Sequence, residues 1–490
     1  MTWDAPVVDE RRSPARGTPR GLDIVAFTAI GLSAGLTILI GLLGPSAMVP
    51  RLAGPSWQPP FSLDLRPDGH LVIAMAAAAI VLGGLGLAGA LRSRWRPDPR
   101  WLLAAGCVVA ALLAFLPPSG SADHLNYAAY GRLVTLGQNP YAVPPTALPA
   151  DPVTGAVEEW AGVTSVYGPV ATAVQALASL VGGDSVRLTI LVMALVNAAA
   201  FIGTALLLHR FTQGDADLQR RAALLWAVNP LMIYHLSAGM HVDTLAIACM
   251  VAALMARGAS SGLLLGVGIG VKLNAGLVAL GPAWELRRSP GRLAVVAGTA
   301  TATVLVIYGL AGSHVLDQVG AASKKVSLAT PWQLAKGGLQ TVFGPGAYST
   351  WIQVGSLLML AGLAWLILRA LPGAPSGDTA PAVAAVMVVA WLFAAPYALP
   401  WYDGLAFALL AMASWPVLEG FMVARVTILS LGYLPAREAL RPEDLLWLKT
   451  LLRERVVPWS LLALTLALVW WAVSAGARAR RPSASAAPPP

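Results

Sequence analysis

An all-α, polytopic transmembrane bundle is the fold this sequence predicts, and three features of the chain lead there. Charged residues fill 12% of the 490 positions, against ~25% in a soluble domain. Hydrophobic residues fill 57%, too many for a globule wetted on all sides. Apolar stretches of the ~20 residues that a spanning helix needs recur along nearly the whole length, continuous rather than alternating. A hydrocarbon core admits only helices or closed barrels. Continuity selects helices, in ~12–14 spans by length and hydropathy.

Residues 1–21 are polar, basic and proline-containing, and read as a disordered cytoplasmic tail. The first apolar run is too long for a signal-peptide core and is expected to remain as a helix. Spans are expected at 22–44, 71–92 and 101–116. The loop 117–165 is polar and proline-rich. The segment 166–183 is marginal and reads as an interfacial helix rather than a span. Spans resume at 186–208, 221–237 and 242–257. The stretch 260–284 holds Lys272 between glycines and reads as two half-helices meeting near that lysine. Such a break is tolerated only where it lines a cavity. Further spans fit 292–311, 351–371, 380–399, 403–417 and 420–434, which closes a main domain of residues 22–435. Residues 436–476 combine a charged stretch, expected as an amphipathic interfacial helix, with a last span at 456–476. Residues 477–490 form a second tail.

The formal charge of +9 is not spread as nucleic-acid binding would require. It sits in short clusters between apolar runs, such as Arg92, Arg94, Arg96 and Arg100, and Arg287, Arg288 and Arg292. That is the positive-inside pattern. It puts both termini in the cytoplasm of a multi-pass protein of the cell membrane, with loops 117–165 and 312–350 outside. Cys107 and Cys249 sit inside apolar runs, with neither metal-ligand spacing nor a disulfide framework.

Ionisable residues at or within spans mark function by default. In SADHLNYAAYGR (121–132), Asp123, Tyr127 and Tyr130 share a face if the segment is helical. Asp123 reads as a catalytic carboxylate or as a helix N-cap, and Arg132 as a phosphate ligand or a headgroup-level charge. In LGQNPYAVPP (136–145), Tyr141 is a sugar-stacking candidate or an ordinary loop aromatic. His235, His241 and Asp243 gather between two spans, as a rim of a ligand cavity more than as a metal site. Lys272 needs an anion, a carbonyl or water; the glycines around it lack P-loop spacing. Trp401 and Tyr402 suit a binding site or an interfacial aromatic belt. Lys324 and Lys325 lie in the second outer loop, where a basic pair hints at an anionic ligand.

The run Asp123 to Arg132, followed by Gly137, Asn139, Pro140 and Tyr141, resembles the first outer loop of actinobacterial polyprenol-phosphate-mannose-dependent α-1,6-mannosyltransferases, integral-membrane enzymes of the GT-C fold. VYGP at 166–169, NPL at 229–231 with HVD at 241–243, VKLNAG at 271–276 and PWY at 400–402 follow in the same order. The resemblance covers residues 115–410. It implies an outward-facing site with Asp123 as catalytic base and a polyprenyl-phosphate-mannose donor. Arg132, Lys272, Lys324 and Lys325 then become candidates for the donor phosphate. His124, Tyr127, Tyr130, Asn139, Tyr141, Tyr167, His241, Asp243, Trp401 and Tyr402 become candidates for substrate contact. The family loop commonly has a second acid where this chain has Tyr130, and an aliphatic–aromatic pair where it has His124 and Leu125.

The expected chemistry is inverting transfer to a mannoside or lipoglycan acceptor, building α-1,6 linkages of a lipomannan-type backbone. No metal or other cofactor is expected beside the lipid-linked donor, and no nucleic-acid partner beside the membrane lipids. Transfer of another sugar, or transport of a lipid or solute along the same polar residues, is the alternative. A transporter favours paired broken helices in two halves, and only the break at Lys272 is visible.

Overall fold

The computed structural model describes residues 21–317, 320, 324–371, 378–435, 437 and 440–479. The expected N-terminal tail and most of the C-terminal one lie outside these, as do parts of loop 312–350 and of the stretch 436–455. The described residues are helical without a strand. The helices are α1 (Gly21–Leu43), α2 (Gly69–Arg92), α3 (Pro99–Leu113), α4 (Asp123–Thr135), α5 (Pro169–Gly182) and α6 (Val186–Phe211). Next come α7 (Ala216–Ala222), α8 (Pro230–Met232), α9 (Asp243–Met255), α10 (Ala259–Val271), α11 (Leu280–Glu285) and α12 (Pro290–Ala311). The last six are α13 (Pro331–Phe343), α14 (Ser349–Ala370), α15 (Thr379–Ala394), α16 (Asp403–Ala413), α17 (Pro416–Gly432) and α18 (Val457–Ala479).

Side-chain caps start several of these helices. Asp68 accepts from the amides of His70 and Leu71 ahead of α2, Asp98 from Arg100 ahead of α3, and Ser185 from Leu188 ahead of α6. Six helices among the described residues are long and apolar enough to cross a membrane alone. The other passes are shorter or interrupted, so the bundle is less uniform than the expected spans. The pass expected at 221–237 is the clearest departure. It is cut at Asn229–Pro230 and runs as π-helix over Ala223–Ala227 and Ile233–Ala238. Proline lacks the amide that would continue the α-helical ladder. A second interruption therefore exists beside the one at Lys272. Lys272 itself is extended (φ −153°, ψ 119°) between α10 and a 3-10 run, Leu273–Ala279.

Contacts sort the connections into two polar ends. At one end Arg96 pairs with Asp217, Arg221 with Glu419, and the Ala380 amide donates to Glu285. This is the end of the arginine clusters. At the other, the Phe61 amide donates to the Phe115 carbonyl, Gly120 to Met48, Ser119 to Ala238 and Ser327 to Pro396. Segment 166–183 does not cross between them. Gly168 donates to the Val271 carbonyl and Ser185, just past α5, donates to Gln58, so both ends of α5 stay on the second side. Loop 312–350 contains α13, an exposed 13-residue helix that reading for spans alone passed over. The charged stretch before α18 is a 3-10 turn, Glu443–Leu446, and a π segment, Leu448–Val456, that runs into α18. At the centre lies α16, with every residue buried. Close helix approaches near the second end depend on glycine. A Cβ on Gly131 of α4 would sit 2.1 Å from the Gln175 carbonyl oxygen of α5, and one on Gly168 2.1 Å from that of Gly270.

Candidate active site

Helix α3 stops before Pro117 and Pro118, and the chain turns through Gly120, whose φ of +81° suits glycine. Helix α4 then begins at Asp123. The N-cap position is Ala122, without a side-chain cap, and the Asp123 amide donates to Ser121 Oγ at 3.1 Å. The capping role considered for Asp123 is thus not the one it plays. Its carboxylate faces a cluster gathered from four other parts of the chain and keeps 16% side-chain exposure.

His241, in the turn before α9, places Nδ1 at 3.7 Å from Asp123 Oδ2 and 3.3 Å from Tyr127 Oη. The Trp401 indole stacks on the His241 ring, with centroids 3.6 Å apart and planes 13° from parallel. Trp401 and Tyr402 come from the 3-10 turn Pro400–Tyr402 that leads into α16. Lys272, at the break after α10, donates to both oxygens of Asp243 at 2.6 and 2.7 Å, and its ammonium lies 4.1 Å above the Tyr402 ring. Tyr167 meets Tyr127 edge-on at 4.9 Å.

Burial pushes the Asp123 carboxyl up to about 7; Lys272 pulls it down, while Glu159 and Asp243 push it further up. Burial also holds His241 well below its ordinary range, with Lys272 and two histidines adding to the effect, so its ring is neutral. The result is one carboxylate that titrates near neutrality beside a neutral imidazole, an ammonium–carboxylate pair and a set of aromatic faces. A poised base and a cation in one cluster suit proton abstraction from a hydroxyl near an anionic leaving group.

Other candidates lie elsewhere. Arg132, at the far end of α4, donates to Asp151 at 2.9 Å and Asp184 at 2.5 Å. Two carboxylates already meet its charge. Asn139 is exposed and accepts from the Tyr141 amide in a local turn. Tyr141 is buried, its hydroxyl 2.8 Å from Thr172 Oγ1, and so is not an open stacking surface. His124 is wholly buried, and burial with the Arg437 charge depresses it to about 3. Tyr130 shares the Asp123 face but donates to the Val163 carbonyl at 3.0 Å. Lys324 and Lys325 are exposed, and Lys325 lies 5.7 Å over Trp160. Among the described residues no group of three His, Cys, Asp or Glu side chains is placed to hold a metal ion.

Sequence reasoning missed Glu159, which acts on Asp123, and Tyr433, whose ring meets Trp401 edge-on at 5.1 Å. It also missed the buried ion pair of Asp403 with Arg425 beneath the Pro400–Tyr402 turn. Asp403, at the outer end of its run, was visible in the sequence, and Arg425, a charge inside an apolar run, carried a signal that hydropathy could have flagged.

A family model described as alpha-(1->6)-mannopyranosyltransferase, N-terminal domain, matches residues 28–287. Alpha-(1->6)-mannopyranosyltransferase A of Mycobacterium tuberculosis is 28% identical over 213 residues, 41% of each chain. A probable alpha-(1->6)-mannopyranosyltransferase of Mycolicibacterium smegmatis is 25% identical over 483 residues, 87% of this chain and 82% of the relative. Alpha-(1->6)-mannopyranosyltransferase B of Corynebacterium glutamicum is 26% identical over 198 residues, 40% of this chain and 31% of the relative. This chain thus spans most of one of these relatives and less than half of the other two.

Proposed function

The chain belongs to the alpha-(1->6)-mannopyranosyltransferase family, and from that premise we propose that it transfers mannose from polyprenyl-phosphate-mannose to a mannoside or lipoglycan acceptor, outside the cytoplasm, with inversion. The observation that carries the reading is the meeting of Asp123 with the Lys272–Asp243 pair at the bundle end opposite the arginine clusters. In the transfer, the acceptor hydroxyl gives its proton to the Asp123 carboxylate as its oxygen bonds to the anomeric carbon. The bond from that carbon to the phosphate oxygen breaks, and the polyprenyl phosphate leaves with the electron pair. One carboxylate is enough for a single displacement, which inverts the anomeric centre. Lys272 has three ammonium donors and Asp243 takes two, leaving one for the departing phosphate.

Depth supports a lipid-linked donor. Helices α9 and α10 have 13 residues each and rise only ~20 Å, against a hydrocarbon core of ~30 Å. Counted from the arginine end, that rise falls short of the opposite headgroups, and a phosphate on a buried polyprenyl chain would reach Asp243 and Lys272 from the bilayer.

The test is incubation of the purified protein in lipid with radiolabelled polyprenyl-phosphate-mannose and a short α-mannoside. The parent should transfer label and Asp123→Asn should not. Well-folded parent that transfers nothing to a panel of mannosides would overturn the mannosyl reading and turn attention to other lipid-linked sugars, then to transport.

A further inference from the structure

Trp160 is a large aromatic that the chemistry above leaves unused. It is 57% exposed and has a left-handed backbone, φ +61°, which a bulky residue rarely adopts. Its segment is nevertheless fastened. Asn126 Nδ2 donates to the Glu159 carbonyl at 2.9 Å, Tyr130 Oη to the Val163 carbonyl at 3.0 Å, and the Val163 amide to the Trp160 carbonyl at 2.8 Å. Asn126 and Tyr130 follow Asp123 at helical spacing and share its face of α4. The strap 159–163 therefore crosses the same stripe of α4 that bears the base, and Glu159 acts on Asp123 from it. From the second outer loop, Lys325 places its ammonium 5.7 Å over one side of the indole.

A strained backbone held by specific hydrogen bonds beside a reactive carboxylate points to function. An exposed, rigid indole offers a broad apolar face at small entropic cost. The C–H face of a pyranose ring matches it.

We propose that the Trp160 indole, strapped across the Asp123 face of α4, is a stacking platform for a pyranose ring of the acceptor glycan, with Lys325 held over one of its two faces and the sugar on the other. This rests on the glycosyl-transfer reading of the site.

The experiment uses the full chain in lipid with Asp123→Asn, so that ligands bind without turnover. Calorimetric titration with an α-1,6-mannotrioside is compared with and without Trp160→Ala and Trp160→Phe. Trp160→Ala should weaken the trioside about tenfold, ~1.4 kcal/mol, with partial recovery in Trp160→Phe and unchanged affinity for the lipid-linked donor. Unchanged trioside affinity in Trp160→Ala overturns the proposal, as does an intact Trp160 that binds no trioside. Equal weakening of donor and trioside also overturns it and marks the indole as an interfacial anchor. Failure of the transfer reading is separate: the parent chain, with Asp123 and Trp160 intact, would then move no label from the lipid-linked donor to any mannoside.

Discussion

At the scale of single residues, chemistry concentrates on Asp123, and its surroundings set the pH at which it works. A carboxyl raised to about 7 by burial is ionised, and able to accept a proton, only above that value. Transfer is therefore expected to fall about tenfold per pH unit below pH 7 and to level off above it, in kcat/KM measured from pH 5 to 9. A flat profile would remove Asp123 as the base. Asp123→Asn should lower kcat by ~10²–10⁴-fold without lowering the melting temperature, since the partly buried acid is not a helix cap. Lys272 is different because it holds a buried partner. Lys272→Met leaves the buried Asp243 carboxyl without its partner, at a cost of ~3–5 kcal/mol. The double variant Lys272→Met/Asp243→Asn should recover much of the stability in a thermal melt but not the activity. Recovery of both would assign the pair to structure alone.

At the scale of elements, the site is made by helix ends rather than helix faces. The start of α4, the turn before α9, the end of α10 and the turn before α16 supply its four main pieces. Two of them are held from behind. Asp403 and Arg425 join α16 to α17 in the core, and Arg425 also donates to the Leu392 carbonyl of α15. Arg425→Met is expected to destabilise by ~3–5 kcal/mol and to lower activity by releasing Trp401 from His241. Asp403→Asn/Arg425→Met together should melt closer to the parent. Helix α4 is seated on α5 through Gly131, where a Cβ would reach to 2.1 Å from the Gln175 carbonyl oxygen, a backbone atom that cannot swing away. Gly131→Val is expected to push the helices apart and abolish transfer while the remaining bundle stays folded, as read by protease resistance of the solubilised protein. Full activity in that variant would contradict the close seat.

At the scale of the whole molecule, the two polar ends make orientation testable. In a background with Cys107 and Cys249 replaced, Ala150→Cys should react with an impermeant maleimide on intact cells, and Gly291→Cys only after permeabilisation. The reverse pattern would place the Asp123 end in the cytoplasm and defeat the lipid-donor reading. Composition and continuous apolar runs determined an all-helical membrane protein by themselves, because a bilayer leaves no other solution for such a chain. The short sequence around Asp123 likewise marked the carboxylate, since a charge beside an apolar run is costly and therefore conspicuous. The interruption at Lys272 was legible from a lysine among glycines, whereas the one at Asn229–Pro230, though marked by a helix-breaking proline, was passed over because apolar residues flank it on both sides. What only the tertiary structure decided is which polar groups meet. Arg132 looked free until Asp151 and Asp184 closed on it. Tyr141 read as a stacking residue or an ordinary loop aromatic, and its hydroxyl proves to lie against Thr172 in the interior; Trp160 passed unnoticed until its strap was fastened to α4. Local sequence fixes a side chain's chemistry and its helix, but partners more than a hundred residues apart, such as Asp123 and His241, are joined by packing, which no short window of sequence contains.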